Sequence, residues 1–403
     1  MNLQPKYMLN IIGSGKKMQN NQSWVDEAVK KIHKKMDWVS DKNKDKIPYT
    51  TTASGTFDDK SDHSKTWEFT DGLDWWTNGF WGGLMWLLYQ KTNEEKYAQY
   101  AQINEDKLRE CIDNYYGIHH DIGFMYLLTA VANYRIMGNK EGRRTGLHTA
   151  NLLAGRFNPA GNFIRAWNDL ENEDKDRRGW AIIDCMMNLT HLYWAADESN
   201  DPRYCHIAML HADTTLQHFI RPDGSVNHIV EFDVETGEFV RTHPGQGYQV
   251  GSSWSRGQSW ALYGMALSYL HTRKEAYLEA AKRVAHYCIA CIREDGIVPV
   301  DFRQPEQPQI EDSCAAAILA SGLLELSNHV TEHEKSLYTT AAIKILKALY
   351  DKRTDWSDNC DAIVQNCSVS YHQTSGRHVT MVYADYFFVE AIYKLDGHDY
   401  KMW

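Results

Sequence analysis

The sequence predicts an all-α protein assembled from stacked helical hairpins, on three observations. Apolar residues recur at helical spacing in one segment after another along 403 residues. Short turns join these segments in pairs, and no Pro/Gly-rich linker or shift in composition divides the chain. Such a series of hairpins closes either as an open solenoid or as a double ring of helices.

Taken in order, a first helix is expected near residues 23–38, behind a loosely ordered tail at 1–22 rich in Lys, Asn and Gly. Trp81, Leu84 and Leu88 mark the next, the turn Thr92-Asn93 ends it, and its partner runs near 94–113. Phe124, Leu128 and Val131 pair with a segment at 140–157. Helices near 180–199 and 202–220 flank Asn200-Asp201-Pro202, and short strand-like stretches follow at 225–231 and 237–242. Trp260, Tyr263, Leu267 and Leu270 then pair with Tyr277, Ala281, Val284, Cys288 and Cys291. Ile318, Gly322 and Leu326 pair with Tyr338, Ala342, Ile345 and Leu349, and a segment near 380–395 closes a count of roughly a dozen helices. Residues 23–403 are thus expected to form a single domain.

Where the unusual residues fall favours the closed form. TDGLDWWTNGFWGG, HHDIGF, RRGWAIID, GSSWSRGQSW and PQIEDS each stand where a helix begins. If every second helix lines an inner ring, all these starts face one end of a central cavity, where free N–H groups also suit an anion.

Composition excludes several functions. A net charge of -10 argues against a nucleic-acid partner, which usually calls for a basic face. The N-terminus has no apolar run long enough for a signal-peptide core and no stretch reaches the length of a membrane span, so a soluble, cytoplasmic protein is expected. The 8 cysteines are scattered without the spacing of a disulfide framework, which suits reduced thiols. With 14 Trp and 23 Tyr, the chain has many flat faces with a polar edge, suited to sugar rings or simply to an aromatic core.

Two carboxylates carry the chemical interest. Asp184, in WAIIDCMMNL, has apolar neighbours on both sides, and a buried acid must be paired or have its pKa raised. It is either satisfied by backbone or by Arg177 or Arg178, or it stays protonated near neutral pH, as a general acid requires. Asp121, in HHDIGF, is the second carboxylate or else a plain N-cap. Around them stand Trp75, Trp76, Trp167, His228, Gln246 and the run Arg256 to Trp260; Arg256 is a natural carboxylate clamp or an inter-helix ion pair. Cys288 and Cys291 match CxxC without a second pair and fall on the apolar side of their helix, so core packing is expected. There is no HExxH, Walker, GxGxxG or GxSxG element, hence no expected metal or cofactor.

WWTNGFWGGLMWLLYQKT, HHDIGF, RAW, GWAIIDCMMNL, SSWSRGQSWALYG, DSCAAAILASGLLEL and VYADYFFVEAIYKL, in this order from about residue 70 onward, resemble the unsaturated glucuronyl hydrolases of glycoside hydrolase family 88. The resemblance implies an (α/α)6 barrel with the active site at one end of the inner ring. It implies hydrolysis of lyase-generated glycosaminoglycan disaccharides (chondroitin, hyaluronan or heparin type) bearing a 4,5-unsaturated glucuronic acid, through hydration of the C4=C5 bond. Asp184 would give a proton to C4 and help activate the water that adds at C5, with Asp121 supporting it. The rule linking carboxylate separation to retention or inversion would not apply. Trp75, His120, Trp167, His228, Gln246, Arg256 and Trp260 would line the subsites, and His372, Ser375 and Arg377 would occupy a loop that meets sulfate in some relatives. There, His372 replaces the first serine of that loop's pattern, which leaves the preferred sulfation position open. A monomer or homodimer is expected. The alternatives are an unsaturated rhamnogalacturonyl hydrolase acting on pectin fragments and a non-catalytic sugar-binding barrel.

Overall fold

The computed structural model describes residues 22–61, 72–114, 117–169 and 176–403; the expected tail lies outside these except for Gln22. Its helices are α1 (Gln22–Asn43), α2 (Gly79–Thr92), α3 (Glu95–Asp113), α4 (Ile122–Tyr126), α5 (Ala132–Met137), α6 (Lys140–Ala154), α7 (Cys185–Ser199), α8 (Pro202–His218), α9 (Ser255–Thr272), α10 (Glu275–Cys291), α11 (Ser313–Ser327), α12 (Glu332–Lys352) and α13 (Val382–Leu395). A π-helical stretch, Leu127–Val131, joins α4 to α5 as one rod, so these thirteen segments make twelve rods among the described residues.

Burial sorts the rods into two sets that alternate along the chain. On α9 every residue from Ser255 to Ser268 is buried, and α2, the α4–α5 rod, α7, α11 and α13 are likewise enclosed around most of their circumference. A helix that is apolar all round belongs inside. By contrast, α10 buries one stripe, Tyr277, Ala281, Val284 and Cys288, and turns charged residues outward. The buried rods form a closed ring, with α2 against the α4–α5 rod, then α7, α9, α11, α13 and back to α2. Each amphipathic rod backs an inner one: α3 on α2, α6 on α4, α8 on α7, α10 on α9, α12 on α11 and α1 on α13. This is the (α/α)6 barrel. Because each hairpin reverses the chain, all six inner rods point the same way.

Aromatic residues fill the space inside the ring. Phe387 of α13 lies 5.6 Å from Phe80 of α2, 5.5 Å from Trp260 of α9 and 5.8 Å from the parallel ring of Trp403. Trp260 in turn packs 5.2 Å from Phe124. The Trp403 indole N–H donates to Glu390 at 2.8 Å, which ties the chain end into this core. The hairpin turns rest on residues that tolerate left-handed backbone, Asn93 (φ 59°) and Asn200 (φ 53°).

Small strands interrupt the helical pattern. β1 (Phe157–Asn158) pairs with β2 (Phe163–Ile164), and β3 (Trp180–Ile182), β4 (Ile229–Phe232) and β5 (Phe239–His243) form an antiparallel sheet in that order. Two expectations are corrected here. The helix predicted from 180 begins only at Cys185, because residues 180–182 pair with 229–231, and the one predicted to 157 ends at Ala154. The CxxC pair also splits, with Cys288 in the core and Cys291 half-buried. No helix among the described residues is long and apolar enough to cross a membrane.

Phe387→Ala should lower stability by about 3–5 kcal/mol, whereas Leu337→Ala, on the exposed side of α12, should change it by less than about 0.5 kcal/mol. Urea-denaturation midpoints of the two variants test whether the aromatic column carries the barrel.

Candidate active site

The parallel inner rods bring their N-termini to one end of the barrel. The residues just ahead of them are Asn78, Asp121, Asp184, Trp254, Asp312 and Met381, so both predicted acids occupy equivalent positions on neighbouring rods. Neither Asp121 nor Asp184 makes a side-chain capping bond, which removes the plain N-cap explanation for Asp121.

The two acids are treated oppositely by their surroundings. Asp184 is 8% exposed, and its Oδ1 is buried without a hydrogen-bond partner. Burial, reinforced by the nearby charge of Asp121, pushes its carboxyl up to about 8. Arg178 is engaged with Asp176 and does not neutralise it. Asp121 is equally enclosed, yet its neighbours win over burial: His120, His119 and the Asn188 amide hold it below the usual carboxylate range. His120 Nε2 and His119 Nδ1 lie 3.3 and 3.4 Å from Asp121 Oδ2, and Asn188 Nδ2 donates to Oδ1 at 3.1 Å. Near neutral pH the pair therefore holds one proton, and Asp184 carries it.

The small sheet delivers a third group. The Ile183 N–H donates to the His228 carbonyl at 3.0 Å, setting His228 beside Asp184, with Nε2 3.7 Å from Oδ1. Its Nδ1 accepts the Gln246 N–H at 3.0 Å, so the ring proton sits on Nε2, facing the acid. Burial, helped by the positive charge of Arg256, pushes this imidazole down to about 3, so it is neutral. The turn before Gln246 requires glycine. Gly245 has φ +56°, and a Cβ there would lie 2.0 Å from His228 Nδ1.

The aromatic candidates divide. Trp75 and Trp167, whose ring lies 6.2 Å from Trp180, are half-buried, and half-buried Trp76 packs 4.9 Å from Tyr383 and 5.7 Å from Phe124. Trp260 is fully buried between Phe124 and Phe387. The expectation that it lines a subsite is therefore not met; it belongs to the aromatic core inside the ring. Arg256 is also buried, and its guanidinium is already engaged. Nε donates to Asp312 at 2.9 Å, and Nη2 donates to the carbonyls of Ser368 and, at 3.2 Å, Val369. Of the two sequence readings, the inter-helix ion pair is the one present.

Those carbonyls open a loop that carries the remaining candidates. Its base is a bridge between Cys367 and Val379, and Gln246 grips it through Nε2 to the Val369 carbonyl (2.6 Å) and its own carbonyl to the Tyr371 N–H (2.9 Å). His372 and Ser375 are exposed; His372 Nε2 lies 2.7 Å from the Tyr248 carbonyl. Arg377 folds back to donate to the Tyr371 carbonyl and stacks on that ring at 5.6 Å. Gln246 and Arg256 thus act on the loop that holds His372, Ser375 and Arg377.

Asn188, Asp312 and His119 belong to the site but were not singled out from the sequence. The position of Asn188 four residues after Asp184, one helical turn on, was the available signal. Among the described residues, two groups of side chains have the donors for a cation: His119, His120 and Asp121, and the buried Asp312, Cys314 and Cys367. In the second group Asp312 is occupied by Arg256 and by the N–H groups of Cys314 and Ser368.

Comparison with known proteins accounts for this arrangement. Residues 39–402 match the family model described as Glycosyl Hydrolase Family 88. An unsaturated glucuronyl hydrolase of Bacillus sp. (strain GL1) is 35% identical over 83% of this chain and 90% of its own length. An unsaturated chondroitin disaccharide hydrolase of Streptococcus pneumoniae (strain ATCC BAA-255 / R6) is 30% identical over 94% and 92%. The crystal structure of the Bacillus sp. GL1 unsaturated glucuronyl hydrolase superposes with a TM-score of 0.84 at 32% identity, covering 92% of this chain and 97% of that one. This chain is a glycoside hydrolase and belongs to Glycosyl Hydrolase Family 88.

Proposed function

We propose that the enzyme removes a 4,5-unsaturated glucuronic acid from the non-reducing end of glycosaminoglycan disaccharides by hydrating the C4=C5 bond. The observation that carries this reading is the split between the two acids, a buried protonated Asp184 beside an ionised Asp121. Similarity to relatives named for unsaturated glucuronyl and chondroitin disaccharide substrates supports the substrate class.

Asp184 delivers its proton to C4, and the positive charge that develops at C5 is shared with the ring oxygen. The carboxylate left on Asp184 takes a proton from water as that water adds to C5, so the acid is restored within the same step. The C5 hemiketal opens to a ketone, the ring oxygen stays on C1 as a hydroxyl, and the hemiacetal at C1 expels the second sugar. Asp121 remains charged throughout and stabilises positive charge in the site. Neutral His228, with its Nε2 proton facing Asp184, supports the carboxylate formed on proton transfer. The half-buried Trp75 and Trp167 offer the stacking faces. On the rim loop, exposed Ser375 and the Arg377 guanidinium support acceptance of a sulfate on the second sugar.

Hydration destroys the conjugation of C4=C5 with the carboxylate. Ultraviolet absorbance should therefore fall when the enzyme meets unsaturated chondroitin, hyaluronan or heparin disaccharides; loss with pectin-derived disaccharides alone would reassign the substrate. Asp184→Asn should bind disaccharide yet lose at least about 1000-fold in kcat, and substantial residual turnover would refute the acid role.

The pH profile follows from the two acids. Deprotonation of Asp184 should cut activity above about pH 8, and protonation of Asp121 should cut it only below the ordinary carboxylate range. A kcat/KM profile that is flat through pH 8 to 9 would contradict the assignment. No metal enters this chemistry, so activity should survive excess chelator; a loss restored by a divalent cation would bring the His119, His120 and Asp121 group into the mechanism.

A further inference from the structure

One side chain joins the carboxylate of Asp121 to the main chain of Asp184, and it is neither an acid nor exposed. Asn188, in the first turn of α7, is fully buried. Its Oδ1 accepts the Phe124 N–H at 2.7 Å, and its Nδ2 donates to Asp121 Oδ1 at 3.1 Å and to the Asp184 main-chain carbonyl at 3.4 Å. We propose that Asn188 is a positioning residue for the reaction: it holds Asp121 against the start of α7 and, together with His120 and His119, keeps the proton off Asp121.

The effect follows from which end of the amide can face which partner. The Phe124 N–H is among the first of α4, a donor that the helix itself cannot satisfy. It needs an acceptor, so Oδ1 must face it. A flipped amide would set NH2 against N–H on one side and oxygen against carboxylate oxygen on the other, losing both bonds. The NH2 is therefore locked toward Asp121. Being a donor only, it favours the ionised carboxylate, which offers acceptors and no proton. No side-chain amide reaches Asp184 Oδ1, which is buried without a partner. The amide thus adds to His120 and His119, on the other carboxylate oxygen, in breaking the equivalence of two acids placed alike at the heads of neighbouring rods.

The surrounding backbone leaves room for this contact and little else. A Cβ at Gly123 would lie 2.5 Å from Asn188 Oδ1 and 2.8 Å from its Cα, so the close approach of α4 to α7 requires glycine there. Completely enclosed, Asn188 acts on the reaction through Asp121.

Asn188→Leu isolates the effect, because it removes the donor to Asp121 at similar volume without adding a charge, whereas an Asp there would set a third carboxyl against Asp121. This inference rests on the roles proposed for Asp121 and Asp184. The expected result is a fall in kcat on the order of 10- to 100-fold with KM little changed. It should come with a shift of the acidic limb of the kcat/KM profile to higher pH by about one unit or more. Folding is checked by circular dichroism and the thermal midpoint; if Asn188→Leu does not fold, Asn188→Ala, which also lacks the donor and adds no charge, is read the same way. A purely structural residue would lower the midpoint and leave the acidic limb where it is, and an unmoved limb in a folded variant overturns the proposal. Asp184→Asn, assayed in parallel, separates the two levels: its activity would remove the acid assignment itself, whereas its inactivity beside an unmoved limb removes only the role of Asn188.

Discussion

Two carboxyl groups held in one water-poor pocket cannot both be ionised cheaply, since their repulsion is weakly screened there and each has lost its hydration. The site is organised around settling which of them yields. Asp121 is surrounded by two imidazoles and an amide, while Asp184 has an apolar setting and a neutral His228. A helix N-terminus favours a negative charge, and both acids sit at one. For Asp184 that attraction loses to burial. The same position on two neighbouring rods thus gives opposite protonation states, and the difference lies in the side chains packed around each.

Such a site costs folding free energy, because it keeps an acid protonated at a pH where the unfolded chain would release the proton. A barrel with a continuous core offsets it. The aromatic column of Phe80, Phe124, Trp260, Phe387 and Trp403 joins rods far apart in sequence and fixes how their heads are spaced. Arg256 does similar work at the head of α9. Its ion pair with Asp312 joins adjacent rods, and its remaining reach goes to the loop carbonyls.

Much of this was legible in the sequence because it is local. The hairpins follow from helical spacing between short turns, and the rod heads stand out as polar and aromatic clusters before apolar runs. Asp184 reveals itself by the apolar residues around it. What was not legible depends on partners distant in the chain. WAII before Asp184 reads equally as helix or strand, and only pairing with 229–231 makes it β3. Trp260 resembles a sugar platform until Phe124 and Phe387 cover it, and Arg256 resembles a free clamp until Asp312, 56 positions on, occupies it. Asn188 looks like an ordinary polar residue on a buried helix until α4 presents it with an N–H and a carboxylate.

The loop between Cys367 and Val379 is pinned at its base by main-chain bonds, by Gln246 and by Arg256, while the side chains of His372, Gln373, Thr374 and Ser375 project into solvent. Its tip can be rewritten one residue at a time without disturbing Asp121 and Asp184. If the loop meets the second sugar as proposed, substrate range and chemical competence are inherited through separate parts of the molecule, so that a lineage meeting a differently decorated polysaccharide can retune recognition while its chemistry passes on unchanged.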